Sequence, residues 1–118
     1  MVTETQHMTL IEECKEWYDR LVSYREKINN LKNELYYFAP GKMDEETRIG
    51  IEHFHNQFHI QLINIHDLKH EIKHHIKDAN HHPAFGHRIP HHFIKEKTDM
   101  LIADLDKLEE EFHQFVKS

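Results

Sequence analysis

At 118 residues, with only three glycines and three prolines, the chain has the size of one domain (1–118) with few loops. Its single cysteine, Cys14, excludes an internal disulfide, and no apolar run approaches the ~20 residues needed to span a bilayer. A formal charge of −6 with histidines neutral argues against a nucleic-acid binder, which would need a basic face.

The first predicted helix covers about 4–39. Leu10, Cys14, Trp17, Leu21, Tyr24, Ile28, Leu31, Leu35 and Phe38 step by alternating fours and threes, a heptad seam on one helical face. Ile11 and Tyr18 widen that seam, which suits packing against two partners rather than one. Thr9 with Glu12 and Thr3 with Gln6 both fit a capping box, so two starts are open. Pro40-Gly41 ends the helix: proline disfavours the helical conformation in its predecessor, and glycine frees the turn.

The second helix is predicted over 44–79. Asp44 is its N-cap, and Glu45 and Glu46 complement the dipole in the first turn. Its seam runs Ile51, Phe54, Phe58, Ile65, Leu68 and Ile72, interrupted by Gln61. Asn80 can close it. A loop over 80–89 follows, with Phe85 and Ile89 expected to fold back over the bundle end. The third helix is expected over about 90–117, with Pro90 as its first residue and Ile94, Leu101, Leu105, Leu108, Phe112 and Phe115 as its seam. The short first connection makes neighbouring helices antiparallel. The fold class is therefore all-α: an up-down-up antiparallel three-helix bundle with coiled-coil-like heptad packing. Spectrin-type repeats share this plan as architecture. A two-helix core shared between two copies is the alternative.

Chemistry concentrates in His53–His92, which holds 12 of the 14 histidines. His55, His59, His66 and His70 fall within about 60° of each other on the second helix, on the flank of its seam. Pairs such as His66/His70 have the i, i+4 spacing that lets two imidazoles reach one ion. His74, His75, His81, His82, His87, His91 and His92 lie within 19 residues, at the end of the bundle where the second helix stops and the third starts. Imidazoles gathered there suit zinc, nickel or copper. If each histidine titrated near pH ~6.5, the set would add roughly seven positive charges at that pH, so mild acid would also change the surface field steeply. Cys14, on the first seam, reads by default as a small buried thiol.

His66-Asp67-Leu68-Lys69 resembles the phosphorylation box of histidine kinases and, more loosely, the histidine phosphotransfer motif. That resemblance implies His66 as phosphoacceptor and Asp67 as base. The segment departs from those families at Glu71, where the box has a proline, and at His70, where the phosphotransfer motif has a small residue.

The chain has no phosphate-cradling glycine loop and no Ser/His/Asp arrangement. The sequence therefore reads as a small non-enzymatic bundle acting through a protein partner or as a homodimer, without nucleic acid or membrane. Alternatives are a histidine-rich metal-binding or pH-responsive module, and histidine phosphotransfer at His66. With no basic or apolar leader in Met-Val-Thr-Glu-Thr-Gln, the expected location is cytoplasmic.

Overall fold

The structure, a computed structural model, describes the backbone of residues 4–81 and 88–118 and the side chains of 8–81 and 91–118. Three helices make up the fold: α1 (Glu4–Phe38), α2 (Glu45–His81) and α3 (Arg88–Lys117). All three pack against one another in a bundle 61 Å long and 16 Å across. No helix of the described residues is long and apolar enough to cross a membrane.

The first turn forms as its residues dictate. Ala39 N–H donates to Leu35 O at 2.9 Å, Lys42 N–H donates to Ala39 O at 3.2 Å, and Gly41 takes φ +83°, a conformation open to glycine without strain. Asp44 caps α2: its Oδ2 accepts from Thr47 N–H at 2.8 Å and from the Thr47 hydroxyl at 2.6 Å. At the other end, α2 runs through Asn80 to His81, past the expected stop. α3 starts at Arg88 and not at Pro90. Proline is tolerated there because the first N–H groups of a helix have no intrahelical partner to lose. Phe85 and the Ile89 side chain, expected to fold back over the bundle end, lie outside the described residues.

The three seams meet in one core. Cys14, Trp17, Leu21, Ile28, Leu31 and Leu35 of α1 join Phe54, Phe58, Ile65, Leu68 and Ile72 of α2 and Ile94, Leu101, Leu105, Leu108 and Phe112 of α3. The end near the first turn is aromatic. Phe58 and Phe112, both fully buried, meet edge-on at 5.1 Å between centroids, and Phe54 stands 5.4 Å from Phe112 and 5.1 Å from Phe115. Such pairs contribute about 0.5–1.5 kcal/mol beyond area burial. Gly50 lets Phe115 lie against the α2 backbone, since a Cβ at Gly50 would fall 2.3 Å from Phe115 Cε1.

Polar contacts also link the helices from outside. Tyr24 donates its hydroxyl to Asp106 at 2.8 Å, Lys27 pairs with Glu109 at 2.9 Å, and Lys97 pairs with Glu71 at 2.8 Å. Gln61, at its seam position, is half-buried and accepts from Asn64 at 3.2 Å, so the interruption sits at a wet edge. The end away from the first turn differs in kind. There the same seams place Cys14, His75 and His91 side by side.

Candidate metal centre

Each helix supplies one residue to this layer through its own heptad. On α1, Cys14 is one step before Trp17. On α2, the seam continues from Ile72 to His75 and Ala79, both buried. On α3, the seam extends back from Ile94 to His91. The three side chains are 2%, 7% and 6% exposed. Burial of two imidazoles and a thiol in one core layer needs a reason, because an unsatisfied buried polar group costs about 1–3 kcal/mol.

Their contacts supply part of it. Cys14 Sγ lies 3.6 Å from His91 Nδ1, and His75 Nε2 lies 3.3 Å from the same Nδ1. His91 Nε2 faces Glu13 Oε2 at 3.3 Å. A neutral His91 that donates its Nε2–H to Glu13 turns the Nδ1 lone pair toward Cys14 and His75. Only one of those two can donate to that lone pair at a time. The Trp17 ring closes the layer, tilted 33° to His91 with centroids 4.7 Å apart.

The arrangement has the donor set of a transition-metal site. One ligand atom from each residue can be chosen so that all lie within 4.8 Å of one another. Zinc bonds of about 2.3 Å to sulfur and 2.0–2.1 Å to nitrogen, at tetrahedral angles, separate neighbouring donors by about 3.3–3.6 Å. The two edges at His91 Nδ1, 3.3 and 3.6 Å, match that spacing, and the third lies within 4.8 Å. With an ion at this layer, Glu13 would take the outer position of a carboxylate–histidine–metal relay and would fix the tautomer and orientation of His91. Its charge would also help offset the excess positive charge of a divalent ion bound by one thiolate and two neutral imidazoles.

The same connectivity, thiol to imidazole to carboxylate, is that of a thiol nucleophile with its base and orienting group. Accessibility and acidity oppose that use. Cys14 is 2% exposed, and burial, followed by the Glu13 charge, pushes its thiol up to about 12. A nucleophilic cysteine needs the opposite shift and an open approach.

Of the histidines singled out in the sequence, the structure brings His75 and His91 together. His74, His81 and His92 are exposed, and His92 pairs with Glu96 at 3.0 Å one turn along α3. His82 and His87 lie outside the described residues. His66 and His70 stand exposed on α2 with stacked rings 6.5 Å apart, and His70 meets His74 edge-on at 5.4 Å. Sequence reasoning assigned Cys14 to packing and missed its two imidazole neighbours. The signal was present: continuing each heptad places His75 and His91 on seams, and antiparallel pairing puts Cys14 opposite the His75 turn. Glu13 carries no comparable signal.

Fold and site together define a three-helix bundle with an inter-helical Cys-His-His layer at one end. Comparisons with protein-family models, with curated proteins and with solved structures returned no match.

Proposed function

We propose that the protein is a non-enzymatic bundle that binds one transition-metal ion, zinc or copper, through Cys14, His75 and His91. The carrying observation is the convergence of three buried donor atoms, one per helix, with His91 Nε2 held by Glu13. A thiolate with two imidazoles suits these borderline and soft ions better than magnesium or calcium, which prefer oxygen. The donor set holds three protein ligands, the number found in zinc sites that keep an exchangeable fourth position. A thiolate ligand also suits a reducing compartment such as the cytoplasm. The exposed histidines of α2 are, in this reading, solvated surface that binds metal weakly.

The test is calorimetric titration of zinc into tag-free, chelator-stripped protein beside Cys14→Ala and His75→Gln, with cobalt as a spectroscopic substitute. One tight site per chain, lost in both variants, together with a cobalt–thiolate charge-transfer band, supports the reading. Weak, multiple-site binding that is identical in all three proteins refutes it.

A further inference from the structure

Outside the core layer, the outer groove between α1 and α2 carries positive charge without negative charge. It consists of two adjoining depressions. One, of about 540 Å³, is lined by Arg25, Asn29, Leu62, His66 and Lys69. The other, of about 100 Å³, is lined by Tyr18, His66, Lys69, His70 and Lys73. They share His66 and Lys69, and neither lining includes a carboxylate. In a chain of net charge −6 this is a local reversal of sign.

Two features mark the groove as more than scattered lysines. Lys69 and Lys73 both place their ammonium groups over the ring of Tyr18, at 5.3 and 5.4 Å from its centroid. The ring attracts both ammonium groups, an attraction that opposes their mutual Coulomb repulsion. Of the two acids along this stretch of α2, Glu71 is committed to Lys97 of α3, and Asp67, beside His66, belongs to neither lining. Among the described residues, Arg25, Lys69 and Lys73 make no ion pair, whereas Lys27, Lys97 and Lys107 each have a carboxylate within 4.0 Å.

From this we infer that the α1–α2 groove is a binding site for a small molecule carrying several linked phosphate groups. From His66 to Lys73 the lining side chains of α2 cover about 10 Å of helix axis. A chain of phosphates extends over a comparable length, whereas a single phosphate would engage one depression. Arg25 supplies a planar fork for phosphate oxygens, Lys69 and Lys73 supply point charges, and the imidazoles and Asn29 supply further donors. This site is independent of the metal reading, because it uses none of the three core ligands.

The experiment is calorimetric titration of inorganic tripolyphosphate into the metal-free full chain at low salt, about 50 mM, where screening is weak. One saturable site with Kd of about 10–100 µM is expected. Lys69→Gln/Lys73→Gln should weaken it at least about tenfold, since charge-assisted hydrogen bonds are the strong ones. Lys95→Gln/Lys117→Gln, which removes the same net charge from α3, should leave it within about twofold, as should Cys14→Ala. Circular dichroism establishes that every variant is folded. Absence of saturable binding, or equal weakening by both double variants, overturns the proposal.

Discussion

A metal ion held by one ligand from each helix must stabilise the whole bundle, and the expected size can be worked out. Two of the donor–donor distances, both at His91 Nδ1, already match those around bound zinc. For a Kd of about 1 µM, zinc at a hundredfold excess over Kd adds about 2.7 kcal/mol to the folded state. In a chain of this length each kcal/mol raises the melting midpoint by about 3–5 °C, which gives a rise of about 8–14 °C. The assay is a circular dichroism melt of chelator-stripped protein with and without zinc, repeated with Cys14→Ala, His75→Gln and His91→Gln. Each variant should lose most of the rise, because removing any ligand releases one helix from the ion. A midpoint insensitive to zinc would refute the reasoning. So would a full rise in Cys14→Ala, which would locate the stabilising ion among the surface histidines.

Other expectations follow from single contacts. Phe58→Ala, at a fully buried ring packed on Phe54 and Phe112, should cost about 3–5 kcal/mol in urea unfolding, a large share of the roughly 6–18 kcal/mol such a chain commands. Gly50→Ala gains about 1 kcal/mol of helix propensity but drives a methyl into Phe115, which should cost about 1–3 kcal/mol. Its melting midpoint should therefore fall, and a rise would mean that the Phe115 ring moves aside freely. In the metal-free protein the Cys14 thiol, raised from the ordinary 9.0 to about 12 chiefly by burial, stays protonated where an unfolded chain's thiol ionises. Its contribution to stability is then complete below pH 9 and lost as pH rises from 9 to about 12, so the stability gap between wild type and Cys14→Ala should change across that window. Folded metal-free protein should also react with thiol reagents much more slowly than urea-unfolded protein.

The fold was legible because apolar spacing on three long segments leaves few alternatives. Leu10 to Phe38 repeats without a miss, and Pro40-Gly41 and Asp44 mark the first turn. Helix ends near 80–90 were less legible, since Asn80 and Pro90 are compatible with either continuing or stopping, and packing decides between those outcomes. The site was half legible. Histidine density drew attention to the end of the bundle where His75 and His91 meet Cys14, but density marks a region and not a constellation. His74 and His75 are neighbours in sequence, yet one is exposed and the other buried; only the phase of the seam separates them. Cys14 is buried as its seam position implies, but its imidazole neighbours come from two other helices and could not be read from its own segment. The α1–α2 groove was invisible for the same reason: Arg25 and Lys69 are ordinary surface residues until two helices are laid together.

The distribution of the three donors along the chain also sets an order of assembly. His75 and His91 are 16 residues apart, whereas Cys14 is 77 residues from His91. Closing the longer loop costs about 1.4 kcal/mol more in chain entropy, so His91 can meet His75 roughly ten times more readily than it meets the thiol. An emerging or refolding chain would therefore capture an ion first with its histidine hairpin, loosely and reversibly. The thiol of α1 would arrive last and convert a transient encounter into a latch. Metal retention would then act as a proofreading step, distinguishing a finished bundle from one whose first helix has not docked.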